Sequence, residues 1–491
     1  MFEMIISFIT PFNLVVIAFG TTWGIAFGVI PGLTATLAIV VLIPITYGMN
    51  VISGLSMLIG IYIGGIAGGL VTSILIGMPG TPSSIATVLD GFPMAKKGLG
   101  TKALGIAVTS SLIGSIFGGI LLITLAPEIA RLALRFGPFE YVAVIIFGLT
   151  AVIGLSGDSL SKGLMMAAFG LLVSTIGTDP IYGVPRNTFG IRNLLGGVSP
   201  IPAMIGLFVV SQAFTEAEQM AQKFIIPKPE KIKGFFSFFT AQELRESVGN
   251  FIRSGIIGLL VGILPGIGGS LSNVLAYDQA KKMSKHPETF GTGNIQGVIA
   301  PETANNATVG GSLIPMLSLG IPGDAATAAL LGGLMLHGLQ PGPLMFKENP
   351  EIVYSVFVSY FIATVMMFVI MMLGIRVFPL LLRLPKSLLM PLVLVASLVG
   401  CYNLQYSMND MWISLAFGIF GFIFKKLGFP FTPVVISMVL GRMLENSLRI
   451  GLLNSDGSMM PLFTRPVALV CMILSVISLA MSFTKLGKGA K

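Results

Sequence analysis

The sequence predicts an all-α, polytopic membrane protein of about 11 to 14 membrane segments, organised as two repeats with broken helices and re-entrant hairpins. Three observations predict it. Hydrophobic residues make up 54% of the 491 and charged residues only 10%, against about 25% charged in soluble domains. The chain holds 61 Gly and 29 Pro, which lipid-embedded helices tolerate where neighbours satisfy a broken backbone. A Pro-Gly pattern in the first half recurs in the second. No alternating pattern of barrel-strand length recurs, which argues against a β-barrel. The net charge of +9 fits basic loops on one membrane face better than nucleic-acid binding, because no basic cluster is interleaved with aromatics. Cys401 and Cys471 lie in apolar runs and suggest neither a metal site nor a disulfide framework. Residues 1–10 carry no Lys or Arg ahead of the apolar stretch, unlike a cleavable signal peptide.

Taken in order, apolar runs lie at about 12–30 and 51–76, followed by Pro31-Gly32 and by Gly77-Met78-Pro79-Gly80. Runs at about 103–126, 140–156, 162–178 and 202–215 complete a first repeat, 1–215. Residues 216–247 form a charged interfacial linker, with Glu216, Glu218, Lys223, Lys228, Glu230, Lys231, Lys233, Glu243, Arg245 and Glu246. Phe235, Phe236, Phe238 and Phe239 within it suit the headgroup level of a membrane. The second repeat, 248–446, has runs at about 250–264, 295–319, 325–346, 352–375, 378–400, 411–427 and 430–441. Residues 447–491 add one more membrane helix at about 466–484. Several runs fall short of the roughly 20 residues a span needs, and these read as half-helices or hairpins.

The repeat rests on two matched motifs. Gly24-Ile-Ala-Phe-Gly28-Val-Ile-Pro31-Gly32 pairs with Gly258-Leu-Leu-Val-Gly262-Ile-Leu-Pro265-Gly266, and Gly77-Met-Pro79-Gly80 pairs with Gly320-Ile-Pro322-Gly323. The two prolines are 48 residues apart in the first half and 57 in the second. Lys96, Lys97 and Lys102 follow the second motif of the first half, whereas Lys281, Lys282 and Lys285 follow the first motif of the second half. Basic loops face the cytoplasm, so equivalent loops face opposite sides and the repeats read as inverted. Arg131 and Arg135 set against Arg383 and Lys386 do not show the alternation.

Each motif ends an apolar run with Pro-Gly, supplies small polar residues, and begins another apolar run. A helix that stops and restarts there directs unpaired N–H groups and a partial positive charge into the break. Such a site holds a carboxylate without a buried Lys or Arg, and unwound carbonyls can coordinate Na⁺. The break residues are Pro31, Gly32, Pro79, Pro265, Gly266 and Pro322. Thr34, Thr36, Ser270, Ser272 and Asn273 are substrate candidates from the first motif pair, and Thr81, Ser83, Ser84 and Thr327 from the second. Asp324, with Gly80 and Gly323, is the candidate cation site. The bland readings are loops outside the membrane and simple helix caps, Asp324 included.

The segment Ala300-Pro301-Glu302-Thr303-Ala304-Asn305-Asn306-Ala307-Thr308 is unusually polar for its setting. Glu302, Asn305, Asn306 and Thr308 either line a polar cavity, with Asn305 and Asn306 as substrate candidates, or lie at a surface and bond neighbouring helices. Gly60, Gly64, Gly68, Gly114 and Gly118 have the four-residue spacing of close helix packing. Asp90-Gly91 reads as a turn. His286 and His337 lie in loop-like stretches and give no catalytic pair. No triad, zinc spacing or Walker loop is present, so the chain does not read as an enzyme and no cofactor is expected.

Several of these runs carry a resemblance. Residues 60–69 (GIYIGGIAGG), 77–84 (GMPGTPSS), 89–98 (LDGFPMAKKG), 183–190 (GVPRNTFG), 300–307 (APETANNA) and 320–327 (GIPGDAAT) resemble the large membrane subunit of tripartite tricarboxylate transporters. The likeness runs from about residue 12 to 446. It implies a multi-pass protein of the bacterial inner membrane with an elevator-like architecture. It also implies two partners, a small four-helix membrane subunit and a periplasmic solute-binding protein that delivers an organic carboxylate. Membrane lipid surrounds such a protein, and nucleic acid is no partner. Uptake would be driven by Na⁺ or H⁺ as coupling ion, without ATP. The rival expectations are a carboxylate-selective channel, a membrane docking subunit without ion-coupled transport, and a membrane enzyme.

Overall fold

The computed structural model describes residues 8–155, 159–179, 181–219, 239–266, 268–374, 377 and 386–489. Phe235, Phe236, Phe238 and Ile267 lie outside the described residues. The fold is all-α apart from one short antiparallel pairing, Gly177–Thr178 (β1) with Pro185–Arg186 (β2). The first five helices are α1 (Pro11–Val29), α2 (Ala35–Thr46), α3 (Val51–Leu75), α4 (Ile85–Met94) and α5 (Gly100–Ala133). Then come α6 (Pro138–Leu155), α7 (Leu160–Ser174), α8 (Pro200–Met204) and α9 (Ser211–Gln219), the last two joined by a π-helical stretch, Ile205–Val210. The second half holds α10 (Ala241–Ile263), α11 (Gly268–Lys282), α12 (Gln296–Leu319), α13 (Ala325–Leu336), α14 (Pro343–Glu348), α15 (Pro350–Gly374), α16 (Lys386–Gln405) and α17 (Met408–Lys426). The chain closes with α18 (Thr432–Asn454), α19 (Pro461–Thr464) and α20 (Pro466–Gly489).

Among the described residues, seven helices are long and apolar enough to cross a membrane, and five shorter apolar helices accompany them. The chain is therefore a multi-pass membrane protein. Several apolar runs fold as half-length helices, such as Ala35–Thr46 and Ala325–Leu336. The run at 325–346 is broken, since α13 stops at Leu336 and a turn leads into α14. The run at 430–441 extends, as α18, to Asn454 and takes in Glu445 and Arg449.

Two helices form the interior. α3 is buried almost from end to end, and so is α12 despite its polar residues. Glycines bring their neighbours close. A Cβ at Gly24 of α1 would lie 2.2 Å from the Ile61 carbonyl oxygen of α3, and one at Gly258 of α10 would lie 2.2 Å from that of Ala304 of α12. Gly64 and Gly68 of α3 face α1, while Gly114 and Gly118 of α5 meet the Thr303 and Ala307 carbonyls of α12. A backbone carbonyl can approach this far only where the facing residue is a glycine without a Cβ, which is how small residues hold membrane helices together.

Asp90 corrects the expected Asp90-Gly91 turn. It lies inside α4, fully buried, and its Oδ1 accepts the backbone N–H groups of Gly291, Gly293 and Asn294 at 2.7–2.9 Å. Its Oδ2 accepts the Tyr277 hydroxyl at 2.9 Å. One carboxylate thus gathers the loop that leads into α12, and a local turn signal in the sequence gives no hint of a partner some 200 residues away. Phe239 packs edge-on against Phe251 with ring centroids 5.9 Å apart, so this end of the linker is folded against α10.

Candidate functional site

All four Pro-Gly motifs break helices. α1 ends at Val29, and after Pro31 and Gly32 the Thr34 side chain caps α2 by accepting the Leu37 N–H at 3.2 Å. α3 ends at Leu75, and after Pro79 and Gly80 a single 3₁₀ turn, Pro82–Ser84, leads into α4. α10 ends at Ile263, and after Pro265 and Gly266 α11 starts at Gly268. α12 ends at Leu319 with Gly320 as its C-cap, and after Pro322 and Gly323 Asp324 caps α13. Gly32 and Gly266 adopt φ of +91° and +83°, a conformation open to glycine and costly for other residues.

The breaks meet. The Gly266 N–H donates to the Gly323 carbonyl at 2.7 Å. The Ala86 N–H of α4 donates to Asn273 Oδ1 of α11 at 3.2 Å. A Cβ at Gly269 would lie 3.1 Å from Ser83 Cβ and 2.3 Å from Asn305 Oδ1. Between them lies a cavity of about 700 Å³, in the range of small-molecule sites. Its wall includes Gly32, Thr34, Thr36, Pro79, Gly80, Thr81, Ser83, Gly266, Gly268, Ser270 and Asp324. The first turns of α2, α11 and α13 and the turn before α4 therefore all border one space. Each helix start carries roughly half a positive elementary charge, so their convergence favours an anion.

Other expected residues stand behind the wall. Ser84 Oγ donates to the Thr81 carbonyl at 2.9 Å and accepts the Thr81 N–H at 3.3 Å. Ser272 Oγ donates to the Gly269 carbonyl at 3.1 Å, and Asn273 Nδ2 donates to the same carbonyl at 2.8 Å. Thr327 accepts the Asp324 N–H at 2.8 Å, while its own N–H donates to Asp324 Oδ1 at 2.7 Å. Asn305 and Asn306 are buried in α12; both side-chain polar atoms of Asn305 and the Oδ1 of Asn306 have no hydrogen-bond partner among the described residues. Gly323 spends its carbonyl on Gly266. Pro31, Pro265 and Pro322 shape the turns and are absent from the lining.

Asp324 combines two tasks. Its Oδ1 closes a capping box, and its Oδ2 accepts the Tyr62 hydroxyl of α3 at 2.6 Å. Sequence reasoning missed Tyr62, and it also missed Ser211, Gln212, Lys425 and Thr432 on the cavity wall. Lys425 Nζ donates to Gln212 Oε1 at 2.6 Å, and Gln212 Nε2 donates to Glu216 at 2.9 Å. A basic side chain thus joins the helix ends, which the expectation of a site without Lys or Arg did not include. The signals were a glutamine inside the apolar run 202–215 and a Lys pair closing the run 411–427. Nothing local connects them.

Related proteins extend along most of this architecture. The chain is 34% identical over 477 residues to an uncharacterized 52.8 kDa protein in the TAR-I ttuC' 3' region of Agrobacterium vitis, spanning 96% of this chain and 94% of that one. It is 33% identical over 227 residues to an uncharacterized protein in the TAR-II ttuC' 3' region of the same organism, spanning 45% of this chain and 94% of that one. The signature of the tripartite tricarboxylate transporter TctA family matches residues 14–436, and with so much of its length covered the chain belongs to that transporter family.

Proposed function

We propose that the chain is the large membrane subunit of a binding-protein-dependent secondary transporter of the bacterial inner membrane. It takes up an organic di- or tricarboxylate by Na⁺ or H⁺ symport, together with a small four-helix membrane subunit and a periplasmic solute-binding protein. The observation that carries this reading is the cavity of about 700 Å³ on which four interrupted helices and Lys425 converge. Helix starts and hydroxyls bind the carboxylates, with Thr34, Thr36, Thr81, Ser83 and Ser270 at the wall. Lys425 supplies the point charge that dipoles alone lack. Asp324 and Gly80, both on the cavity wall, are the candidate cation ligands.

Alternating access by inverted repeats is part of the proposal. Equivalent glycines make equivalent contacts in its support. Cβ atoms at Gly68 and Gly311 would lie 2.6 Å from Ile25 O and 2.7 Å from Leu259 O, and those at Gly80 and Gly323 would lie 2.4 Å and 2.6 Å from the carbonyl oxygens of Gly28 and Gly262. Lys97 of the first basic loop donates to the Thr292 carbonyl beyond the second at 2.7 Å, as expected if both loops face the cytoplasm.

The test is uptake of labelled citrate by proteoliposomes holding the chain, its small subunit and the binding protein. Uphill accumulation under an imposed ion gradient is expected, and Ser83→Leu abolishes it while leaving the protein folded. Flux that only runs downhill means a channel. Normal uptake by Ser83→Leu overturns the site.

A further inference from the structure

Behind the cavity, α12 carries a carboxylate without a charged companion. Glu302 is completely buried. Thr87 of α4 donates its hydroxyl to Oε1, and Ser111 of α5 donates to Oε2 at 3.1 Å. Among the described residues no ion pair includes Glu302. Titratable groups on the helices packed against α12 are engaged elsewhere. Asp90 of α4 binds backbone amides and Tyr277 of α11, Tyr62 of α3 binds Asp324, Lys102 of α5 pairs with Glu243 of α10, and Arg253 of α10 donates to Asn250. The other charges on these helices pair with one another or are exposed.

An ionised carboxylate so enclosed is strongly disfavoured unless a cation offsets it. Among the described residues no Lys or Arg side chain pairs with it, and a bound proton removes that cost. Hydroxyls both give and accept hydrogen bonds, so Thr87 and Ser111 can serve the carboxylate and the carboxylic acid alike. The position lies one layer behind the cavity wall, which Gly269 helps to form. Asn306 Nδ2 donates to the Glu302 carbonyl at 2.9 Å. Asn305, one turn along, abuts Gly269 and keeps both polar atoms unpartnered.

We propose that Glu302 is the proton carrier of the transport cycle. Its carboxylate takes one proton from water on one side of the membrane, becomes a carboxylic acid, and returns that proton to water on the other side. The inference rests on the transport reading above and names its coupling ion. Substrate seated against Ser83 and Gly269 bears on Asn305, and through the same turn of α12 on Glu302.

Infrared difference spectroscopy on the full chain in liposomes tests the site without any substrate. The wild type should show a carboxylic-acid carbonyl band at neutral pH that Glu302→Gln lacks. Thr87→Val, which keeps the carboxyl but removes a donor to its ionised form, should move loss of the band to higher pH. In the reconstituted complex, labelled citrate uptake should rise with an inward proton gradient in the wild type and be indifferent to it in Glu302→Gln. Identical spectra for the wild type and Glu302→Gln at every pH overturn the assignment, as does a variant that responds to the gradient like the wild type. If the wild-type complex accumulates neither citrate nor any other of a panel of di- and tricarboxylates under any gradient, the transport reading falls, and the infrared result still decides whether Glu302 holds a proton.

Discussion

Tyr62 and Asp324 are 262 positions apart and share a hydrogen bond of 2.6 Å. Tyr62→Phe leaves one part-buried carboxylate oxygen of Asp324 short of a donor, a loss of about 1 kcal/mol. Asp324→Ala removes the same bond and also the α13 cap, itself about 1 kcal/mol. Thermal unfolding in detergent should therefore rank Asp324→Ala below Tyr62→Phe, and equal midpoints would contradict the double role. Lys425→Gln removes a charged hydrogen-bond donor from the cavity wall, so citrate binding measured by calorimetry should weaken roughly tenfold or more. At this scale the sequence revealed the caps, because Thr34 and Asp324 stand at the residue where a helix restarts after Pro-Gly. It concealed Tyr62, Gln212 and Lys425, whose roles arise only when distant helices meet.

Helices here are positioned by what they lack. Within α10, a Cβ at Gly258 would press on the Ala304 carbonyl, whereas one at Gly249 would meet nothing within 4 Å. Gly258→Ala should push α10 off α12 at a cost of about 1–3 kcal/mol. Gly249→Ala should be neutral or stabilising by up to about 1 kcal/mol, since it only raises helix propensity. Size-exclusion profiles and unfolding midpoints of the two variants check the contrast. The four-residue spacing of Gly60, Gly64, Gly68, Gly114 and Gly118 made the packing of α3 and α5 readable beforehand, but not that of Gly258. Full helix lengths were less readable, because α18 continues past its apolar run through Glu445 and Arg449, whose charges find partners only in the folded chain.

Those partners tie the hairpin at 177–186 to the body of the molecule. Arg449 donates to both Asp179 oxygens at 3.0 and 2.8 Å, and Arg186 donates to Glu445 Oε2 at 2.9 Å. Hydrogen bonds from Arg449 and from the Tyr182 and Ile181 amides hold the Asp179 carboxyl well below the usual carboxylate range. A carboxyl depressed on folding stabilises the fold above its unfolded value of about 4 and loses that contribution as pH falls toward the folded one. Hydrogen exchange across 177–197 should thus quicken on acidification below about pH 4, and Asp179→Asn should remove the acid dependence. A wild-type hairpin indifferent to acid would sever this link. The Pro-Gly motifs in the sequence marked the four helix breaks, but not which charges would fasten the periphery.

The glycine seams have a consequence for heredity. A joint formed by carbonyl oxygens against bare α-carbons reads almost nothing from side chains, so lipid-facing positions are free to drift while the stripe Gly24, Gly28, Gly258 and Gly262 is not. A saturation library scored by survival should come back as narrow forbidden tracks across a broadly permissive surface.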